Sequence, residues 1–426
     1  MKKLIGLAVV SALVSSALPA QAEILKNLKT TGELDILGVA AKNVSLTDAT
    51  YKNTQTRLSY GMMFDLLDDL HANITLLKDN RFYGNGAENL QNVQNSVVVD
   101  ESNIVMDNLF GGKGKIGRQY YGEEGDIVAY YGVRHGAERT AAVTPVNQGL
   151  DAMRYDYSSD KLNGHVVWAK TNESSLTADQ DTSFWGVNAM YKMMDSLSLG
   201  GYVYNNKTAK STIGLNGSNL YIIGVKANGN VIGMNYSAEA AFNRGAAANV
   251  ADQETPSYVG YAFLGKLGYK MDIAGHGFNP RAMFAYGSGD NQGTGITNAS
   301  KDKNFYAINP DFRPGEIFGN SPASAWDYSS TYSLQNLTVA NLGIDYMPAN
   351  MAKLSTSADF FKFAANSVAA GTPTHIGSEI DLKANYKYAE NVTLSLALAR
   401  FYPEEATKAI NANHINKIAT NVNVRF

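Results

Sequence analysis

Charged side chains at every second position are the most distinctive chemical feature of this sequence. In the segment Ile376–Lys387, Glu379, Asp381 and Lys383 fall on one face, and the apolar residues Ile376, Ile380 and Leu382 fall on the other. Because successive side chains of a β-strand point to opposite faces, this spacing predicts a strand with one charged face and one apolar face. A wall made of such charged faces can solvate ions and polar solutes, and the opposite faces suit either lipid or a core.

The same period of two recurs in other segments, clearly in Leu58–Leu66, Ile232–Phe242, Val392–Leu398 and Ile418–Phe426. In a barrel, the polar faces of these strands line a wet lumen. The candidate pore-lining residues assigned in this way are Arg57, Asp65, Arg154, Asp156, Lys192, Lys226, Glu239, Lys266, Lys270, Arg281, Asp345, Asp359, Glu379, Asp381, Lys383 and Lys387. Basic and acidic positions are nearly balanced along the lumen, which predicts weak ion selectivity.

Enzyme chemistry is not favoured by the sequence. A hydrolase needs a nucleophile beside a base, but the six histidines are scattered and none lies in a G-x-S-x-G or H-E-x-x-H setting. Oxygen ligands for calcium are available in the set Asp290, Asn291, Asn298, Asp302 and Asn304. No EF-hand spacing is present and turn formation explains the same residues, so we predict neither a metal nor a cofactor.

The amino terminus predicts an export signal over residues 1–22. Lys2 and Lys3 precede the apolar run Leu4–Leu18, and Ala20-Gln21-Ala22 offers a cleavage site. The mature chain, residues 23–426, then forms one domain. Its 34 basic residues, which are the 36 of the whole chain less Lys2 and Lys3, face 39 acidic ones. This mild net charge argues against nucleic acid as a partner.

A transmembrane β-barrel is the expected fold of residues 23–426. No later segment is apolar enough to cross a membrane as a helix, and a closed barrel is the other structure that satisfies every backbone group in lipid. The chain has no cysteine, so it uses neither disulfides nor thiolate metal sites. Its 25 tyrosines and 39 glycines suit many strands and turns.

The connections between strands alternate between short and long. Short polar joints, such as Asp68-Asp69, Asp195-Ser196 and Ala389-Glu390, alternate with long stretches such as Asn80–Ser96. This alternation predicts an all-β antiparallel barrel of about 18 strands, with short periplasmic turns and long extracellular loops in the bacterial outer membrane. The last strand ends on Phe426, an ending that resembles the one read by the barrel-assembly machinery.

The loop Gly122–Gln148 is the best candidate for a pore constriction. It combines the apolar residues Ile127 and Val128, which need a surface to pack on, with many charges. The charged candidates are Glu123, Glu124, Asp126, Arg134, His135, Glu138 and Arg139. A loop folded over the outer rim is the alternative. The stretch Gly287–Ser329 is the second candidate for a constriction, and an outer lid is the alternative interpretation of it.

Several motifs in order resemble the alginate-export family of outer-membrane channels. They are Gly117-Arg118-Gln119, Tyr286–Asp290, Phe312-Arg313-Pro314-Gly315, Ile376–Leu382 and Phe401-Tyr402-Pro403 before the last strand. The resemblance implies an 18-stranded barrel, in agreement with the count of strands. The alternation places Arg118 on the face of Ile116 and Tyr120, so that either a bulge shifts it or it lies at the rim.

The resemblance leaves three functional hypotheses. A channel for a polyuronate should be lined by arginine, since guanidinium groups match carboxylates, yet only 11 arginines occur in the chain. We therefore expect a porin-like channel for small polar or saccharide-type solutes that is weakly ion-selective. The alternatives are a dedicated exporter of an anionic polysaccharide such as alginate, and a structural or adhesive barrel without transport.

Overall fold

The alternating segments form strands of one closed antiparallel sheet. The computed structural model describes residues 26–43, 50–82, 97–135, 149–173, 181–209, 217–247, 256–290, 301–319, 332–408 and 413–426. The predicted signal segment, Glu138 and Arg139 lie outside these residues.

The strands cover most of the described chain. They are β1 (Lys26–Lys42), β2 (Thr50–Leu67), β3 (Leu70–Phe82), β4 (Val98–Leu109), β5 (Gly112–Gln119), β6 (Leu150–Ser158), β7 (Leu162–Asn172), β8 (Thr182–Met194), β9 (Leu197–Thr208), β10 (Ser218–Val231), β11 (Met234–Ala246), β12 (Ser257–Tyr258), β13 (Tyr261–Tyr269), β14 (Met271–Ile273), β15 (His276–Gly287), β16 (Lys301–Asp302), β17 (Leu337–Met347), β18 (Leu354–Ala365), β19 (His375–Ala389), β20 (Val392–Pro403) and β21 (Ile415–Arg425), with a short helix α1 (Glu405–Lys408).

Antiparallel pairing closes these strands into a barrel. Each long strand pairs with the next along the chain, and β1 also pairs with β21, with Glu33 opposite Arg425. Strands β13 and β14 both pair with β15 and form one wall segment, while β12 and β16 are two-residue strands that pair with each other in parallel. Within the described residues the wall therefore has eighteen long segments, as the sequence predicted.

Exposed apolar side chains form a band around the outside of the wall. On β20, Leu394, Leu396 and Leu398 are exposed, while Ala399 and Phe401 on the opposite face are buried. This arrangement places lipid-compatible side chains outside, as the alternation predicted. Ile376 was expected on the same outer face as Ile380, and that expectation is wrong. It is fully buried, because the pairing of β18 with β19 shifts register between Phe363 and Ala364.

Tight two-residue turns join many strands at one end of the barrel. Phe110-Gly111, Ile232-Gly233 and Ala274-Gly275 each have positive φ at both residues, which is the geometry whose twist matches antiparallel strands. The last residue, Phe426, lies at this same periplasmic end, where its carbonyl accepts a hydrogen bond from the amide of Gly32. Among the residues described here, no helix is long and apolar enough to cross a membrane.

Candidate functional site

Two long extracellular loops fold into the barrel. The first, loop A, comprises residues 120–135 between β5 and β6. His135 of loop A contacts Glu33 of β1 with 3.3 Å between Nε2 and Oε2, and Asp126 accepts a hydrogen bond of 3.2 Å from Lys226 of β10. Strands β1 and β10 are nine wall segments apart and lie on opposite sides. Loop A can contact both only from inside the barrel.

The second loop, loop B, comprises residues 301–319. Its Glu316 lies 2.6 Å from Lys383 of β19 and also contacts Lys417 of β21, while Tyr306 exchanges backbone hydrogen bonds with the Asn243 side chain of β11. Loop B thus crosses the lumen as well. The interpretation of Gly287–Ser329 as an outer lid is wrong for residues 305–319.

Loops A and B are hydrogen-bonded to each other. The amide of Tyr130 donates to the Asn309 carbonyl at 2.7 Å, and the amide of Asp311 donates to the Asp126 carbonyl at 2.8 Å. The fully buried carboxylate of Asp311 also accepts bonds of 2.9 Å from both Arg134 and Arg313. These bonds make the two loops one structural unit.

Apolar side chains hold this unit against the inner wall. Ile127 and Val128 of loop A are fully buried and belong to the same cluster as Phe184 of β8. On the other side, Phe318 of loop B stacks on Phe363 of β18 with ring centroids 4.2 Å apart. The apolar residues of loop A therefore pack on the inner wall and not on the outer rim.

Charged groups complete the attachment of the loops. Hydrogen bonds to Glu124 and then to Glu33 raise the pKa of His135 above its ordinary value. Burial opposes ionisation of Glu316, but Lys417 and Lys383 outweigh it and lower the pKa of Glu316 to about 2. The partners that anchor the loops therefore favour the charged form of each group.

A cavity of about 470 Å³ remains between the loop unit and the wall formed by β13, β15, β17, β18 and β19. Its charged lining consists of Glu124, His135, Lys266, Arg281, Asp311, Arg313, Glu316 and Lys383. Most of these charges are paired. Lys266 is exposed and has no ion pair among the residues that the structure describes. The cavity is thus a polar space beside the loops, and Lys266 is the uncompensated cation among the lining residues that the structure describes.

Many predicted pore-lining residues form ion pairs on the inner wall. Arg57 contacts Asp35 and Glu33, and Arg281 lies 3.0 Å from Asp345 and 2.6 Å from Asp359. Other pairs are Arg154 with Asp156 at 2.6 Å and Lys226 with Glu239 at 3.5 Å. These pairs neutralise neighbouring charges across adjacent strands.

Other candidates are buried or lie at the ends of the barrel. Glu379 and Asp381 are fully buried beneath loop B, where Glu379 accepts bonds from the amides of Ile317 and Phe318 and Asp381 from that of Glu316. Four other candidates lie near the short turns: Asp65, Lys192, Lys270 and Lys387. Asp65 is hydrogen-bonded to His71 at 2.6 Å, Lys192 is paired with Asp195 at 2.7 Å, and Lys270 and Lys387 are exposed. Glu123 of loop A is exposed.

The Gly117-Arg118-Gln119 motif has a structural position at the rim. A Cβ at Gly117 would lie 2.4 Å from the Ser102 carbonyl oxygen, so a side chain does not fit there. Arg118 lies on the outer face, with 2.9 Å to Asp151, and Gln119 is buried inside. β5 pairs with β6 without a register shift, and its pairing with β4 is regular from Ser102 to Met106, so Arg118 keeps the facing that the alternation predicts.

The sequence analysis missed three charged residues of the loop unit, Asp311, Arg313 and Glu316, and their wall partner Lys417 of β21. Arg313 lies within a motif that was noted, but nothing in its spacing indicates an inward position. Of the calcium candidates that the structure describes, Asp290 accepts a bond from the Lys303 amide and Asp302 accepts bonds from Asn304. The described residues contain no cluster that could hold a metal ion.

Comparison with solved structures shows the same fold. OccK3 (OpdO) of Pseudomonas aeruginosa has 11% sequence identity and a TM-score of 0.56, and the alignment covers 95% of this chain and 97% of that one. The P. aeruginosa outer membrane protein opdK matches with 11% identity, a TM-score of 0.56 and coverage of 95% and 99%. OccAB4 of Acinetobacter baumannii matches with 9% identity, a TM-score of 0.53 and coverage of 96% and 100%.

Comparison of the sequence itself identifies the family. No curated protein matches this chain. The family model described as alginate export matches residues 146–421, which span β6 to β21 and include loop B. This match covers well over half of the chain and agrees with the closed barrel and with the order of the motifs. The chain therefore belongs to the alginate-export family.

Proposed function

We propose that this protein is a bacterial outer-membrane channel for passive diffusion of small polar or saccharide-type solutes, with weak ion selectivity. The observation that carries the proposal is the charge-lined cavity of about 470 Å³ between the inward loops and the wall. A barrel of eighteen segments is wide enough for an aqueous channel, and loops A and B narrow it without filling it.

The pairing of charges supports weak selectivity. Arg57, Arg281 and Lys383 each contact one or more carboxylates, so their fields largely cancel over a short distance. Such pairs do not produce an electrostatic field of one sign along the bore. A field of that kind would exclude ions of the same sign.

A planar-bilayer recording of the purified protein tests channel formation. We expect stepwise single-channel currents and a small reversal potential in a salt gradient. Lys266→Trp should lower the conductance, because it adds bulk to the cavity, whereas Leu342→Trp on the exposed outer face should not. The proposal would be contradicted if the wild-type protein showed no channel currents, or if the two variants had equal conductance.

Export of an anionic polysaccharide is the second candidate, and the family match favours it. The rate at which proteoliposomes swell in different solutes distinguishes a general channel from a dedicated exporter. A general channel should admit neutral sugars and uronate monomers at similar rates. A dedicated exporter should admit oligouronates in preference to neutral oligosaccharides of the same length.

We also propose that residues 1–22 are removed on export, that Phe426 engages the barrel-assembly machinery, and that the protein has no enzymatic activity. The Phe426 side chain is exposed, which supports recognition of this terminus before the barrel closes. The mass of the mature protein tests the cleavage. Deletion of Phe426 should reduce the folded amount in the outer membrane and leave the amount synthesised unchanged.

A further inference from the structure

Three cations lie close together on the outer face of the barrel, near its extracellular end. Arg400 of β20 pairs with Asn416 of β21, which in turn pairs with Lys42 of β1. Lys52 of β2 is paired with Ala40, two residues from Lys42 on the same face. Since neighbouring strands are about 4.8 Å apart, Arg400 lies roughly 10 Å from Lys42, and Lys52 on the adjoining strand lies roughly 15 Å from Arg400. We call Lys42, Lys52 and Arg400 the outer cation patch.

The patch faces outward at the border of the apolar band. Lys42, Lys52 and Arg400 are exposed, whereas Ala41 and Phe401, their neighbours in sequence, are buried inside. The next outward residues toward the periplasm are apolar on β20 and β21, where Leu398 and Ile418 are both exposed. The three cations therefore lie where the acyl region of a bilayer gives way to its headgroups.

Carboxylates do not compensate this patch. Among the described residues, the outward-facing positions of β1, β2, β20 and β21 contain no Asp or Glu, and no ion pair involves Lys42, Lys52 or Arg400. Other cations on the outer face near this end of the barrel have a carboxylate partner. Lys362 contacts Glu404, Lys170 lies 2.8 Å from Asp181, and Arg118 pairs with Asp151. Counted over the residues that the structure describes, the patch thus carries a local charge of about +3.

Aromatic residues order one member of the patch. The Arg400 guanidinium lies over the Tyr402 ring at 5.2 Å, and that ring contacts His414 with 4.7 Å between centroids. A guanidinium held in this way keeps its donor edge free, and both guanidinium and ammonium groups bind phosphate oxygens.

We propose that the outer cation patch binds the phosphate groups of a phosphorylated glycolipid in the outer leaflet. The acyl chains lie along the apolar outer faces of β20, β21, β1 and β2, and the phosphates contact Lys42, Lys52 and Arg400. The proposal rests on the outer-membrane location in the proposed function, but not on conduction. Each basic residue close to an anionic headgroup contributes about fivefold in affinity, so loss of all three weakens binding roughly a hundredfold.

Titration of a bisphosphorylated lipid A into the full-length protein in an uncharged detergent tests this site, with thermal unfolding as the readout. We expect the lipid to raise the unfolding temperature of the wild type, and the K42Q/K52Q/R400Q variant to need roughly a hundredfold more lipid for the same shift. The charge-matched control K270Q/K353Q/K387Q, at the short-turn end of the barrel, should respond as the wild type does. The single variant K52Q, which changes one exposed side chain, serves if the triple variant does not fold, and it should show a partial loss.

Two further probes identify the ligand. Lipid A without its phosphates should stabilise wild type and patch variant equally and weakly, and inorganic phosphate alone should stabilise neither. The proposal is overturned if the patch variants and the wild type respond equally to the bisphosphorylated lipid, or if the dephosphorylated lipid is as effective. Because no current is measured, failure here is distinct from failure of channel function.

Discussion

At the scale of single residues, His135 is the point where loop A, loop B and the wall meet. Its ring contacts Glu124 and Glu33, and its carbonyl accepts a hydrogen bond of 3.0 Å from Arg313. The raised pKa means that attachment is complete below pH 6.5 and is lost as the pH rises through the raised value. We therefore expect open-channel noise in bilayer recordings to increase as the pH rises from 6.5 through the raised pKa, because the loop unit loosens from β1.

The variant His135→Gln is the control for this pH effect. Glutamine can keep one hydrogen bond but does not titrate, so the open-channel noise of this variant should not change with pH. Glu33, Glu124, Arg57 and Arg313 are the other charged groups around the ring, and carboxyl and guanidinium groups ordinarily titrate outside the range of histidine. An equal pH response of wild type and variant would show that His135 is not the titrating group.

Glu316 anchors loop B by a different balance of forces. Its carboxylate lies between Lys383 and Lys417, and the Lys417 side chain is almost fully buried. Glu316→Gln should lower the free energy of unfolding by roughly 3–5 kcal/mol, because a buried cation loses its anionic partner. Urea unfolding measures the effect. Glu404→Gln, which removes the partner of Lys362 at the rim, should cost about 0–1 kcal/mol, and equal losses would contradict the assignment.

The depressed pKa of Glu316 sets the direction of the acid dependence. A carboxyl group whose pKa is lowered by folding contributes stability above its ordinary value of 4.5, and this contribution disappears as the pH falls through about 2. The difference in stability between wild type and Glu316→Gln should therefore shrink as the pH falls from about 5 to about 2. A constant difference over this range would indicate that charge is not the cause.

At the scale of the elements, β20 offers a direct test of which face meets lipid. Leu396 is exposed in the middle of the apolar band, and Ser395 faces inward. Leu396→Arg should destabilise the barrel by about 2–4 kcal/mol in a folding titration into lipid vesicles, since arginine near the midplane of the bilayer is costly. Ser395→Arg should be tolerated because its side chain reaches water. Similar penalties at both positions would show that the facing is misassigned.

Loop A should set the limiting width of the channel. Replacement of residues 127–135 by a short Gly-Ser link removes the part that crosses from β10 toward β1, and single-channel conductance should rise. Heat-modifiable mobility on a gel checks that the barrel remains closed. The control is deletion of Ala370–Thr372 in the β18–β19 loop, which is exposed, and it should leave conductance unchanged. No change in the loop A variant would place the constriction elsewhere.

The elements differ in how far the sequence predicts them. Strands such as β20 are predictable because their alternation is local, and the short joints follow from glycine and polar residues at tight turns. The inward path of loop B is not predictable from the sequence, because the contact that anchors the loop joins Glu316 to Lys417, 101 positions further along the chain. The bulge that buries Ile376 is equally hidden, since it depends on the pairing of β18 with β19.

At the scale of the whole molecule, the barrel wall and the loop unit are stabilised by different kinds of contact. The wall is held by closed backbone pairing and by its apolar band, so it tolerates a highly charged interior. The loop unit depends on contacts to β1, β10, β11, β19 and β21, and it therefore responds to changes on many sides of the lumen. Ion pairing between wall and loops fixes the position of the loops and at the same time reduces the net field in the bore.

This reduced field leads to a prediction about selectivity. With most inner charges paired, the reversal potential in a salt gradient should be close to zero, and the exposed cation Lys266 should have more influence than any paired residue. Lys266→Glu should shift the reversal potential toward cation selectivity, because a negative charge then projects into the cavity beside Glu124 and Glu316. Lys161→Glu, the same charge reversal in a short turn outside the cavity, should produce little shift. A wild-type channel that is strongly anion-selective and blocked by oligouronates would instead show that the paired guanidinium and ammonium groups remain available to carboxylates, and that the polyanion function of the family applies to this chain.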